Sequence, residues 1–265
     1  MSGLNALKKK GEDRQLITVQ SAASDKSKGK EISMWVHFKG RVKRYWKEWG
    51  WQIILIVAVM ITFRSSVADW NDVPTGSMKP TILAGDRIFV NKVAYDLRVP
   101  LTPWRIARWS DPERGDIIVF ISPADRKRLV KRVIGLPGDV IELRRNKLYV
   151  NGDPAVYEPL SINIINQLTG EEQLKNLFSE EHIMDQDYPI MLTPFSPGRK
   201  SFGPLTVPDG QYFVMGDNRD NSADSRYFGC VERNAILGKA TAVVLSLNRN
   251  RYYLPRFERF FRSLP

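Results

Sequence analysis

Histidine is nearly missing from this 265-residue chain: there are two, His37 and His182. His37 precedes the only strongly apolar stretch, and His182 lies in a polar region between Glu181 and Ile183. Neither is well placed to serve a nucleophilic hydroxyl, which argues against a Ser-His-Asp triad. Cysteine is reduced to Cys230, so no intramolecular disulfide can form, and CxxC or other zinc spacings are absent. An extracytoplasmic domain without bridges must rely on its core. Cys230 itself reads as a packed small apolar residue rather than a reactive thiol. Neither a metal nor a cofactor is expected.

Acidic charge is also short, and unevenly so. The net charge is +11, and residues 1–48 hold twelve Lys/Arg against five Asp/Glu. A basic excess concentrated at one end argues for orientation at a membrane rather than for a nucleic-acid groove. Residues 1–45 read as a basic cytoplasmic segment, and from Met34 to Trp49 basic and aromatic residues interleave as they do on helices lying against anionic lipid.

Long apolar runs are limited to one, Gln52–Phe63. Its uninterrupted core is short for a span of about 20 residues. It could be a buried core helix, although the basic flank and the Trp46, Trp49, Trp51 and Trp70 cluster resemble interfacial belts. It could be the apolar part of a cleaved signal peptide, with Ser66-Val67-Ala68 at the cut, although the basic lead is longer than a whole signal peptide of about 15–30 residues. The preferred reading is an uncleaved anchor over residues 46–68, with Lys47 and Arg64 snorkelling from its ends. By the positive-inside rule the N-terminus is then cytoplasmic and everything after about residue 70 lies outside.

What remains reads as β. Strand patterns occur at 87–93, 116–121, 128–134, 211–215 and 238–245, with a hairpin at 140–150. Residues 153–205 are less regular and rich in Asn, Gln, Glu and Pro; they read as an inserted smaller lobe, 150–207, in a catalytic β domain made of 69–149 and 208–265. The basic, aromatic tail 255–262 either packs on the body or touches the bilayer.

Three stretches carry chemistry. Pro74-Thr75-Gly76-Ser77-Met78-Lys79-Pro80-Thr81 is a stiff, non-helical bend that presents Ser77. It is either a polar linker leaving the membrane or a nucleophile that needs a base. With histidine scarce, the alternative base is a lysine made neutral by burial. Lys131 lies between Leu129 and Val133 on one face of an apolar strand. There it either snorkels to water or is desolvated, and desolvation lowers its pKa. The shift is required: near the unperturbed value of about 10.4, roughly one lysine in 2,500 is neutral at pH 7. The third stretch, Gly216–Gly229, is dense in Asp, Asn, Ser and Gly. A calcium loop counted from Asp217 would need Glu at its twelfth position, where Phe228 stands.

Taken together, Pro74–Thr81, Lys131-Arg-Val-Ile-Gly-Leu-Pro-Gly-Asp139 and Gly216-Asp-Asn-Arg-Asp-Asn-Ser-Ala-Asp-Ser-Arg226 resemble the bacterial type I signal peptidases of the S26 class. The likeness covers roughly residues 50–250. It implies a mostly β, membrane-anchored domain of the kind shared with self-cleaving repressor proteases. It also implies a Ser/Lys dyad: Ser77 attacks the scissile carbonyl and neutral Lys131 takes its proton. The Ser77 N–H and the Thr75 hydroxyl would form the oxyanion hole, threonine standing where many relatives have serine. Ser222 would hydrogen-bond and orient the Lys131 amine. Asp217 would pair with Arg132 and Asp224 with Arg226. Val73, Pro74 and Val130 would line shallow apolar pockets, or simply pack in the core. The implied substrate is a secretory precursor with small residues at the first and third positions before the cut, processed at the outer side of the bacterial cytoplasmic membrane. Some relatives have two anchors and a disulfide in the lobe; this chain shows one anchor and cannot form the bridge. Two rivals remain. One is a self-cleaving repressor protease, whose DNA-binding domain is replaced here by an anchor. The other is a non-catalytic, membrane-anchored precursor-binding or assembly protein.

Overall fold

The apolar run forms a helix, α1 (Trp49–Ser66), long and apolar enough to cross a membrane. The computed structural model describes residues 46, 47, 49–102, 104–249 and 251–265. The basic segment expected over 1–45 lies outside them. The helix ends at Ser66, within the anchor expected over 46–68, and there the Lys92 ammonium donates to the carbonyls of Arg64, at 2.9 Å, and Ser65, at 3.2 Å. A cation at the last carbonyls satisfies orphaned acceptors and complements the helix dipole. Ala68 already belongs to a strand, paired with Asn91. The bond after Ala68 therefore lies within a paired strand.

Residues 61–265 form one compact unit. In it, β1 (Ala68–Asp72) and β2 (Asp86–Asn91) flank the Pro74–Thr81 bend, and β3 (Asp96–Arg98) and β4 (Arg105–Arg108) make a short hairpin. β5 (Ile117–Ile121) and β6 (Arg128–Gly135) follow, then the hairpin β7 (Val140–Arg144) and β8 (Lys147–Val150) with the two-residue β9 (Asp153–Pro154). β10 (Val156–Pro159), helices α2 (Ile162–Ile165) and α3 (Gly170–Lys175), β11 (Leu177–Ile183) and β12 (Gln186–Leu192) come next. β13 (Phe202–Thr206), β14 (Gln211–Met215), the one-turn α4 (Ser225–Phe228) and β15 (Val231–Glu232) lead to the long β16 (Ile236–Asn248). The last two strands, β17 (Leu254–Pro255) and β18 (Arg262–Ser263), both pair with β16.

The fold is mostly β. Its main sheet runs β1-β2-β16-β5-β6-β14-β15. Val73, Met78, Ile82, Ile88, Val90, Ile117, Val119, Ala240 and Val243 form one buried cluster, and Ile118, Phe120, Val133, Val214 and Ile236 belong to another. Burial on both faces explains why β5 is apolar at every position. The strands read from periodicity are present to within about two residues at most ends.

Residues 153–205 depart from the irregular reading. β10, β11 and β12 form a three-stranded sheet, and β13 pairs with β7 across the hairpin sheet. The polarity that hid these strands is paired inside: Glu181 is fully buried against Arg219, and Tyr188 donates to Glu181 at 2.8 Å. The tail packs partly on the body, with Arg259 buried against Asp86 while Phe257 and Phe261 are exposed.

Candidate active site

Ser77 is held by what lies on either side of it. Met78 and Ile82 are fully buried, and Ile82 donates its amide to the Met78 carbonyl at 2.9 Å. Asn218 straps the bend from across the chain: its amide N–H donates to the Ser77 carbonyl and its side-chain Nδ2 to the Gly76 carbonyl, both at 3.1 Å. Sequence reasoning did not single out Asn218. Its position next to Asp217 was the available signal, but a carbonyl-strapping role depends on a partner 142 positions away.

Lys131 comes from β6, where it lies opposite Ile118 of β5. It is 2% exposed, and its Nζ lies 2.6 Å from the Ser77 Oγ. Burial lowers its pKa to about 8, against the opposing pull of the Asp224 and Asp217 carboxylates. At pH 7 about one molecule in ten then holds a neutral amine. Six cationic side chains are buried among the described residues: Lys131, Arg132, Arg219, Arg226, Arg233 and Arg259. Each arginine has a carboxylate partner within salt-bridge distance, respectively Asp217, Glu181, Asp224, Asp96 and Asp86. Lys131 has none; its hydrogen bond goes to a hydroxyl. A buried ammonium without a counter-ion is destabilised relative to the neutral amine.

The walls are rigid. Arg132 pairs opposite Met215, so the loop that follows β14 starts beside Lys131. Arg132 grips Asp217 with Nε at 2.9 Å and Nη2 at 2.8 Å, and Thr81 donates to the same carboxylate. Arg226 grips Asp224 with two bonds of 2.8 Å, and the free Asp224 oxygen capacity takes the Gly216 amide at 3.1 Å. Removing one partner from such a buried pair costs about 3–5 kcal/mol. Tyr188 of β12 lies under the Arg132 guanidinium, 4.5 Å from it, and Met191 of the same strand accepts from Arg219 and donates to the Asp217 carbonyl. The sheet hidden in residues 153–205 therefore braces the loop.

Thr75 Oγ1 lies 3.5 Å from the Ser77 Oγ. Ser222 is placed differently from the expectation. Its hydroxyl is buried with no hydrogen-bond partner among the described residues, so the bond to the Lys131 amine is not formed. The Ser222 Oγ and the Ser77 carbonyl both lie close to Gly216, where a Cβ would overlap each of them. Gly216 is thus required for the close approach of the two loops. Val73 is a core residue at 4% exposure, Val130 packs at the edge of the same cluster, and Pro74 is exposed. No group of three or more His, Cys, Asp or Glu among the described residues could hold a metal ion.

A mostly β body thus holds a serine hydroxyl 2.6 Å from a buried lysine amine, and the chain also has a helix long and apolar enough to cross a membrane. The chain belongs to the signal peptidase family, peptidase S26, which matches residues 46–245. Members of that family are serine proteases. The chain is 35% identical to signal peptidase I of Pseudomonas aeruginosa over 230 residues, covering 80% of this chain and 77% of the relative. It is 34% identical to signal peptidase I of Bacillus amyloliquefaciens over 206 residues, 77% of this chain and 88% of that one. A probable signal peptidase I-2 of Synechocystis is 33% identical over 202 residues, 74% of this chain and 71% of the relative.

Proposed function

We propose that this signal peptidase cleaves secretory precursors with a Ser77/Lys131 dyad. The observation that supports it most is that Lys131, alone among the buried cations of the described residues, faces a serine hydroxyl instead of a carboxylate. Neutral Lys131 accepts the Ser77 proton as Oγ bonds to the scissile carbonyl carbon. The tetrahedral oxyanion is held by the Ser77 N–H and the Thr75 hydroxyl. Collapse breaks the C–N bond, the Lys131 ammonium returns the proton to the leaving amine, and an acyl-Ser77 ester remains. Water, deprotonated by Lys131, then releases the signal peptide and regenerates the serine. Asp217 with Arg132 and Asp224 with Arg226 keep the loop in place. They also set the field at the lysine, since both carboxylates raise its pKa while burial lowers it.

Pro74 and Val130, with the edge of Val73, shape shallow apolar recesses that admit small residues before the cut. α1 anchors the chain in the bacterial cytoplasmic membrane, in contact with lipid, with the basic N-terminus inside and Ser77 outside. Full-length enzyme and its Lys131→Ala variant, given a precursor whose signal ends in Ala-x-Ala, test the reading between pH 6 and 10. Cleavage by the wild type alone is expected. Cleavage at full rate by Lys131→Ala would overturn the dyad, and none by either protein would favour a precursor-binding role.

A further inference from the structure

The bend that presents Ser77 carries a second amine, which the chemistry above does not use. Lys79 Nζ donates to Glu172 Oε1, a partner 93 positions away in α3. The two side chains are 18% and 24% exposed. An ion pair near the surface contributes little when both partners must first be ordered. Here Glu172 is already ordered. Its other oxygen, Oε2, accepts from the Thr169 N–H at 3.1 Å and from the Thr169 hydroxyl at 3.0 Å, while the Glu172 N–H donates to Thr169 Oγ1 at 3.3 Å. That is a complete capping box at the start of α3. Just before it, Leu168 packs in one cluster with Leu83 and Met191. Just after it, Asn176 Nδ2 donates to the Glu172 carbonyl at 2.7 Å, and Asn176 Oδ1 accepts from Thr193 at 2.6 Å. The carboxylate that meets Lys79 is therefore tied to the body at both ends of α3.

On the side of the bend, the lysine chain lies over Gly76. A Cβ there would stand 3.0 Å from Lys79 Cε and 3.2 Å from Cδ, closer than ordinary contact. The Lys79 N–H donates to the Gly76 carbonyl at 3.1 Å, and Asn218 Nδ2 donates to the same oxygen at 3.1 Å. The peptide that joins Gly76 to Ser77 is trans. In a planar trans peptide the C=O and the N–H point opposite ways. Whatever holds the Gly76 carbonyl therefore aims the Ser77 N–H.

We propose that Lys79 and Glu172 are a positioning pair, which uses α3 to hold the Gly76–Ser77 peptide so that the Ser77 N–H points at the oxyanion. The proposal rests on the Ser77/Lys131 dyad and its oxyanion hole. Full-length enzyme and its Lys79→Met, Lys79→Arg, Glu172→Gln, Thr169→Ala and Lys131→Ala variants are assayed on a short soluble peptide carrying Ala-x-Ala before the cut, from pH 6 to 10. Denaturant stability is measured on the same samples. A reacting group misplaced by about 1 Å loses on the order of 10²-fold, so Lys79→Met and Glu172→Gln should each lower kcat by about 10–100-fold. KM and the pH midpoint should not move. Glutamine also serves in a capping box, so Glu172→Gln keeps α3 while removing the charge. Thr169→Ala does the reverse and should lose less. Lys79→Arg keeps the charge and should lie nearer the wild type than Lys79→Met. Unchanged kcat in Lys79→Met and Glu172→Gln, beside an inactive Lys131→Ala, would overturn the pair and leave the dyad standing. An active Lys131→Ala would overturn the dyad and the pair with it. A loss confined to KM would make Lys79 a substrate contact, and a displaced pH midpoint would make the pair act on Lys131; either overturns the proposal. So would losses of kcat that follow denaturant stability across the variants, Thr169→Ala included, because they would reduce the pair to a contact of the fold.

Discussion

Two lysines in this molecule lose most of their water and keep different company. Lys92, at the end of α1, gains two helix carbonyls and the Asp69 carboxylate at 3.6 Å. Burial still lowers its pKa, but Asp69 pulls the other way. Lys131 has no carbonyl or carboxylate on its amine, only the Ser77 hydroxyl, and burial brings it to about 8. Desolvation is common to both sites; what differs is the supply of acceptors. The lysine at the helix end has been given what an ammonium needs, so it works as a cap. The lysine behind Ser77 has been denied it, so burial favours its neutral amine, which is what the base role proposed above requires.

The strongest way to break this comparison is to remove the proposed reactive pair. Ser77→Ala and Lys131→Met should each lower the precursor cleavage rate by roughly 10⁴–10⁶-fold, as loss of a nucleophile or its base does elsewhere. Lys131→Met should remain folded, since it replaces a buried unpaired amine with an apolar chain of similar length. Gel assay of cleavage and circular dichroism of the same samples check both halves. A Lys131→Met enzyme that cleaves within tenfold of wild type would end the argument.

Next in size is the proposed oxyanion hole. Thr75→Ala should cost on the order of 10²–10³ in kcat, and Thr75→Ser should stay close to wild type because the hydroxyl is kept. A Thr75→Ala loss appearing only in KM would instead make Thr75 a ground-state contact.

These residues were the legible part of the site. The prolines of Pro74–Thr81 announce a bend, and Lys131 stands in a strand whose apolar neighbours announce burial. The paired arginines and aspartates could be named from the motif alone. The β10–β12 sheet could not, because its strands bear Glu180, Glu181, His182 and Asp187 and read as solvated. Glu181 is tolerated inside because Arg219 meets it from 38 positions away and Tyr188 also donates to it. The motif names Ser222 but does not fix where its hydroxyl points, and here that hydroxyl is buried without a hydrogen-bond partner among the described residues. The Lys79–Glu172 pair was invisible as well, since its partners stand 93 positions apart.

The pH dependence sharpens the contrast. With Lys131 titrating near 8, kcat/KM should rise about tenfold per pH unit below that value and level off above it. Lys92→Met should leave this midpoint in place; a midpoint that moves with Lys92 would put the titrating base elsewhere. The same shift appears in stability. Unfolded, Lys131 binds its proton up to about 10.4, whereas folded it releases it near 8. In that window the unfolded chain binds more protons, so stability rises with pH. The penalty is full below 8 and gone above about 10.4. Denaturant titrations of wild type and Lys131→Met should therefore differ by about 3 kcal/mol more at pH 7 than at pH 10.5, to the disadvantage of the wild type.

The smallest effect belongs to the other lysine. Lys92→Met keeps the aliphatic bulk but removes the ammonium from the carbonyls of Arg64 and Ser65. A cation at a helix C-terminus contributes about 0.3–1 kcal/mol when exposed and up to about 2 when partly buried. Asp69 does not lose all its support, because Arg64 lies 3.0 Å from it and Arg128 3.5 Å. The expected loss is thus about 1 kcal/mol in denaturant stability, with cleavage of a short soluble peptide unchanged. Cleavage lost in step with the Lys131 variants would mean that both amines serve the reaction, and that a supply of acceptors does not separate a structural lysine from a catalytic one.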